Sequence, residues 1–293
     1  MIKLSGTVYR FHPLFVILMV LSLLTGYLLE LITLFGIVLI HEMGHVYAAK
    51  TFGWRVTEVR LLPIGGVAVV EEAGNVPVYQ EIWVTLAGPL QNAWMVLLSL
   101  LMLAVGWGEE EWWNYFLQAN LLVGAFNLLP ILPLDGGKLL QSFLSCGVSY
   151  HRTLAVTTQV SLWMSALLIA AALFPWYGTG IQLNLLLIGA FLLYSNWYHY
   201  RHLPFYYLRF LMSRRARFAA AQGEQQLDKG EPLLVSRRHR IAEVLKMFHR
   251  EKYHWIYVVS DQGKVQYILP EQRLIDYFFN GHKTNGAVSD LIV

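Results

Sequence analysis

Leu39-Ile40-His41-Glu42-Met43-Gly44-His45-Val46 sets two imidazoles and a carboxylate inside an otherwise apolar run. An ionisable side chain at the centre of a membrane helix costs about 2.5–3.5 kcal/mol unless it is paired, coordinated or wetted, so such residues usually mark a site. At helical pitch His41 and His45 are four apart and share one face, where both imidazoles can hold the same Zn²⁺. Glu42 sits beside that face without competing as a ligand. The pattern is H-E-x-x-H, in which the glutamate is general base for a water activated by zinc.

A catalytic zinc site ordinarily has three protein ligands and one open position. The third candidate is Asp135, in Asn127-Leu128-Leu129-Pro130-Ile131-Leu132-Pro133-Leu134-Asp135-Gly136-Gly137, because no other Asp precedes the C-terminal segment. The alternative for Asp135 is a turn-forming Asp-Gly. Two prolines and a glycine pair after an apolar run suit a broken helix, which membrane interiors tolerate where the irregular backbone lines a cavity.

These residues carry a resemblance. Ile40 to His45, Leu62-Pro63-Ile64-Gly65-Gly66, Ala87-Gly88-Pro89-Leu90-Gln91 and Asn127 to Lys138 resemble the site-2 protease family of intramembrane zinc metalloproteases, and within it the sporulation stage IV branch. The resemblance implies one Zn²⁺ on His41, His45 and Asp135, with Glu42 as base. It also implies that Asn127 orients substrate or stabilises an oxyanion, against the alternative of a structural amide bond. The substrate it implies is a membrane-associated protein, a pro-sigma factor, and inhibitory membrane-protein partners come with that branch.

Hydrophobic residues make up 56% of the 293 positions and charged residues 14%, against about a quarter charged in ordinary soluble domains. That composition predicts a membrane protein. One cysteine, Cys146, excludes an intramolecular disulfide and a thiolate-rich zinc site. Lys3 and Arg10 precede an apolar stretch that runs on without a small-residue cleavage site, so the first span reads as a retained helix rather than a signal peptide.

The predicted fold is an α-helical polytopic membrane protein of about six transmembrane helices with a small α/β C-terminal domain. The spans are Leu14 to Leu29, Leu31 to Phe52, Ile82 to Val105, Trp113 to Ile131, Leu154 to Phe174 and Ile181 to Tyr198. Trp54 to Glu81 reads as a β-hairpin-like loop, which the resemblance turns toward the active site to pair with extended substrate. Gln91 and Asn92 read as packing amides first and substrate contacts second. Lys138 to Arg152 reads as an interfacial amphipathic segment. With an inside N-terminus all 22 Lys and Arg fall on the inner side, so the topology is N-in and C-in, with the active site toward the cytosol of the cell membrane.

Residues 1–200 form the membrane protease domain, 201–222 a basic juxtamembrane linker suited to anionic lipid headgroups, and 223–293 a regulatory domain. In that last segment Leu233 to Ser236, Ile241 to Glu251, Trp255 to Ser260, Val265 to Leu269 and Glu271 to Phe279 read as strand, helix, strand, strand, helix. The order resembles a single cystathionine-β-synthase (CBS) module, which implies ATP sensing and, for a lone copy, pairing between chains as a homo-oligomer. Arg237, Arg238 and Arg240 read as a solvated basic face ahead of the alternative, a contact to phosphate or RNA, so no direct nucleic-acid partner is expected. Two rival readings keep the fold without needing Glu42: a nucleotide-sensing membrane regulator or transporter, and an inactive protease homologue.

Overall fold

The computed structural model describes residues 2–4, 7–11, 22–54, 56–62, 65–70, 76–174, 181–220, 230–260, 262–280 and 286–292. The chain divides into two compact units, Met1–Leu140 and Gln141–Val293. Half of the predicted first span, residues 14–21, lies outside the described residues.

The first unit is built on helices α1 (Leu28–Thr51), α2 (Val78–Val105) and α3 (Glu110–Asn127). The 24 residues of α1 contain no proline and span about 36 Å at 1.5 Å per residue, enough for a hydrocarbon core of about 30 Å. The helix stops where Gly53 takes a left-handed φ of 76°. Its N–H bonds the Lys50 carbonyl and that of Trp54 bonds the Ala49 carbonyl, which satisfies the last orphan acceptors. Ile37, Met95 and Ala119 form the core where the three helices meet.

A four-stranded sheet lies in the same unit, in the order β1 (Ile2–Leu4), β2 (Thr7–Phe11), β3 (Val56–Leu62), β4 (Gly65–Val70). The expected hairpin is β3 with β4, antiparallel from Val56↔Val70 to Leu62↔Gly65. The strands β1 and β2 were not foreseen. They come from the segment read only as a basic lead-in to a span, and β2 runs parallel to β3 with Val8 opposite Glu58.

The predicted fourth span overshoots: α3 ends at Asn127 rather than Ile131. Pro130 and Pro133 follow, and proline both lacks the helical donor and disfavours helix in the residue before it. Helix α4 (Asp135–Gly147) then begins at the aspartate itself. Its first turn packs so tightly that a Cβ at Gly136 would strike the Leu128 and Leu129 carbonyls.

The second unit holds α5 (Tyr150–Leu173), α6 (Leu183–Arg201) and α7 (Leu203–Ala220). One side of α5 carries buried Thr157, Thr158, Ser161 and Ser165, whose hydroxyls bond the carbonyls four residues back at 2.7–2.8 Å. That stripe pairs these four hydroxyls within the helix and lets a neighbouring helix approach closely. The stretch 201–222 read as a linker is helical over α7, and its Tyr207, Phe210 and Leu211 share a core with the residues that follow it.

Those residues run β5 (Glu231–Ser236), α8 (Ile241–Leu245), β6 (His254–Val259), β7 (Val265–Pro270), α9 (Glu271–Phe279). The sheet is β5-β6-β7, parallel and then antiparallel, with Val235, Ile256, Val258 and Leu274 beneath it. Helix α8 is shorter than predicted and ends at Leu245. The carbonyls of His249 and Lys252, which a longer helix would orient along its axis, are instead taken by the Arg214 guanidinium.

Among the described residues α1, α2 and α5 are long and apolar enough to cross a membrane. Leu97, Leu101, Trp163 and Leu167 stand exposed on α2 and α5, as lipid-facing side chains do. The molecule is a mostly helical membrane protein with a small C-terminal sheet.

Candidate metal centre

Three acceptor atoms converge inside the first unit. His41 Nε2 lies 3.1 Å from Asp135 Oδ2, His45 Nε2 lies 3.0 Å from the same oxygen, and the two nitrogens are 3.2 Å apart. The helical spacing sets the first pair, since His41 and His45 stack one turn apart on α1. Asp135 arrives from the N-terminus of α4, after the proline-broken segment. His41 and Asp135 are buried, and His45 is 9% exposed.

The far sides of both rings are anchored. His45 Nδ1 faces the Val84 carbonyl at 2.8 Å, and a carbonyl can only accept, so Nδ1 carries a hydrogen and, in the neutral ring that can ligate a metal, Nε2 holds a lone pair. His41 Nδ1 meets Asn92 Oδ1 at 2.5 Å. Lys138 Nζ reaches the other Asp135 oxygen, Oδ1, at 3.1 Å, leaving Oδ2 to face the imidazoles. Outer bonds of this kind orient metal-ligating histidines and carboxylates.

In the neutral rings, a lone pair 3.0 Å from a carboxylate oxygen is repulsive unless a cation lies between them. Zinc fits that demand. With bonds of about 2.0–2.2 Å and tetrahedral angles its donors stand about 3.3–3.5 Å apart, close to the observed triangle, and two nitrogens with one oxygen are donors it accepts. No Cβ stands in the way: residue 88 of α2 is glycine, and a side chain there would meet both Nε2 atoms.

Helix α2 approaches α1 through a second glycine. A Cβ at Gly44 would strike the Ala87 carbonyl and Gln91 Cγ, so Gly44 and Gly88 together set the closeness that lets Val84 and Asn92 reach the histidines. Pro89 inside α2 has no N–H to offer the Thr85 carbonyl.

Of the residues singled out from sequence, His41, His45 and Asp135 are brought together, and Glu42 is next to His41 on α1, partly buried. Asn127 is at the end of α3, where its amide nitrogen donates to the Val123 carbonyl at 3.1 Å. Sequence reading missed the outer partners. In the sequence Asn92 reads as a packing amide first and a substrate contact second, and Asn120, Val84 and Lys138 have no expected role at the site. Asn92 and Asn120 did carry a signal, because an amide within an apolar helix must find a partner.

A second group, Glu231, His249 and His254, has ligand atoms within 4.8 Å of one another. There the His249 backbone N–H already occupies His254 Nε2 at 3.3 Å, and Glu231 is paired with Lys252. With His254 Nε2 taken by that N–H and its Nδ1 3.1 Å from Glu271 Oε2, this group is a poorer cation site than the first.

The model of peptidase family M50 matches residues 29–110 and 102–173. Stage IV sporulation protein FB of Bacillus subtilis is 33% identical over 282 residues, 96% of this chain and 95% of that one. Zinc metalloprotease MJ0392 of Methanocaldococcus jannaschii is 30% identical over 201 residues, 60% of this chain and 58% of its own. The solved structure of the site-2 protease from Methanocaldococcus jannaschii superposes with a TM-score of 0.53 at 26% identity, covering 68% of this chain and 94% of that one. With its H-E-x-x-H helix, its converging aspartate and a relative alike over nearly the whole length, the chain belongs to peptidase family M50 and is a zinc metalloprotease of the site-2 protease kind.

Proposed function

We propose that this chain is a multi-pass, six-span intramembrane endopeptidase of the cell membrane, N-in and C-in, that cleaves a membrane-associated protein precursor from the cytosolic side. The observation that carries the proposal is the triangle of facing acceptors on His41, His45 and Asp135. Likeness to the sporulation protein supports a pro-sigma factor as the substrate, and the resemblance to that branch implies inhibitory membrane proteins as partners.

His41, His45 and Asp135 hold the zinc, which when bound supplies Lewis acidity toward water and toward a peptide carbonyl. Glu42 takes a proton from the attacking water and delivers it to the departing amine as the C–N bond breaks. Asn127 orients the substrate backbone or donates to the oxyanion. A helical substrate hides its carbonyls in its own hydrogen bonds, so it must unwind to be cut. Strand β4 is last in the sheet order and suits an extended substrate segment added alongside it.

The C-terminal βαββα segment acts as a CBS-like regulatory module that takes ATP, pairs with a second copy in a homo-oligomer, and follows a basic helix suited to anionic lipid headgroups. Purified protein with the Glu42→Gln substitution tests the catalytic reading. It retains zinc and loses cleavage of a membrane-anchored precursor by about 10²–10⁴-fold; normal turnover would refute the role of Glu42.

A further inference from the structure

The hydrogen bond on the far side of His41 is the first link of a chain that crosses three helices. His41 Nδ1 meets Asn92 Oδ1 at 2.5 Å, Asn92 Nδ2 donates to Asn120 Oδ1 at 3.2 Å, and Asn120 Nδ2 donates to the Phe116 carbonyl at 2.8 Å. Asn92 is 2% exposed and Asn120 is fully buried.

The polarity of this chain is fixed at its far end. A backbone carbonyl only accepts, so Asn120 must turn its NH₂ toward Phe116 and its oxygen toward Asn92. Asn92 then gives its own NH₂ to Asn120 and presents its oxygen to His41. Against that oxygen His41 must carry its hydrogen on Nδ1, which leaves the Nε2 lone pair toward His45 and Asp135. Reversing either amide sets two donors or two acceptors face to face in a dry interior, where each unmade bond costs about 1–3 kcal/mol.

We propose that Asn92 and Asn120 form a directional amide relay that holds His41 in its Nδ1–H tautomer and so presents Nε2 as a metal ligand. Asn120 has no hydrogen bond to His41 and is a positioning residue acting through Asn92. The metal-binding consequence rests on the zinc protease reading; the tautomer itself does not. His45 reaches the same state by a different route, since the Val84 carbonyl is fixed by the backbone. His41, with a rotatable amide as its partner, needs a second amide to orient the first.

The test uses the full-length protein in detergent with ¹⁵N-labelled histidine. In metal-free wild type the His41 nitrogen shifts report the Nδ1–H tautomer. In Asn120→Leu, Asn92 is free to turn its NH₂ toward the ring, the shifts move toward the Nε2–H form, and zinc affinity by chelator competition falls about 10–100-fold, the usual cost of losing an outer partner. Asn120→Asp restores both readouts, because a buried protonated carboxyl can donate O–H to Phe116 and accept from Asn92. If Asn120→Leu does not fold, Asn120→Ala removes the same bonds without added bulk. Unchanged His41 shifts in the folded Leu or Ala variant, or an Asp variant as damaged as the Leu variant, overturn the relay. A wild type that binds no zinc yet shows the Nδ1–H shifts refutes the protease reading and leaves the relay standing.

Discussion

Gly88 of α2 lies against His45 of α1 so closely that a Cβ at residue 88 would overlap the imidazole Nε2, and would come within 2.7 Å of His41 Nε2. The glycine is therefore part of the metal centre's wall, although it offers no ligand.

Gly88→Ala separates that role from helix stability. Alanine is the better helix former by about 1 kcal/mol, so the helical content of the protein should be unchanged while the methyl group displaces both donor nitrogens. We expect zinc retained per chain to fall to a small fraction of wild type and cleavage to be lost with it. Elemental analysis after gel filtration, read beside circular dichroism, checks this; full zinc occupancy would show that the wall tolerates a methyl group.

Arg214 and Glu271 form a bidentate pair, Nε to Oε1 at 2.5 Å and Nη2 to Oε2 at 2.8 Å, with the arginine 3% exposed and the glutamate fully buried. Arg214 also donates to the His249 and Lys252 carbonyls. Its removal takes the guanidinium from a buried carboxylate, leaving it only its His254 contacts, and from two carbonyls, and Arg214→Ala should destabilise this part of the second unit by about 3–5 kcal/mol. Replacing both partners with methionine should cost far less, because no charge is left behind. Hydrogen exchange of the β5, β6 and β7 amides measures the difference, and equal protection in all three proteins would mean that the pair is dispensable.

His249 makes this region sensitive to acid. Burial holds its imidazole below the ordinary 6.5, the charges of His254 and Lys252 act in the same direction, and Glu231 opposes them. The unfolded chain then binds more protons than the folded one in the window from about 6.5 down to the depressed folded value. The contribution is fully present above about pH 6.5 and is lost as pH falls through that window. Urea unfolding at pH 7.5 and 5.5 should show the loss, and His249→Gln should flatten it. An identical slope in the variant would assign the acid sensitivity to another group.

Topology has a direct check in a Cys146→Ser background. A cysteine at Glu110, in the first turn of α3, should react with an impermeant thiol reagent added outside intact cells, and one at Lys246, just after α8, only after lysis. The reverse pattern would put the metal centre on the wrong side for a cytosolic substrate.

Legibility differed from element to element. The strands and helices of residues 231–279 were readable because short β-branched and aromatic runs such as Trp255 to Val259 mark strands and turn residues such as Gly263, with its φ of 77°, punctuate them. The end of α3 was misplaced by four residues because apolarity continues through Leu128 and Leu129, and only the prolines beyond tell the backbone to stop. The strands β1 and β2 were missed because two short strands gain a reason to exist only when β3 lies beside them; an isolated hairpin is marginal in water.

What the sequence determined by itself was local or compositional. The i, i+4 spacing of His41 and His45 puts two imidazoles on one face whatever surrounds the helix, and 56% hydrophobic residues require a membrane or a very large core. The tertiary structure decided everything that depends on how a helix is turned. Successive residues differ by 100° around the axis, so an amide such as Asn92 faces His41, lipid or another helix according to a rotation that packing alone selects. The small residues Gly44 and Gly88 select it here, by letting α2 approach α1 until Val84 and Asn92 reach the two rings and leave both lone pairs turned toward Asp135.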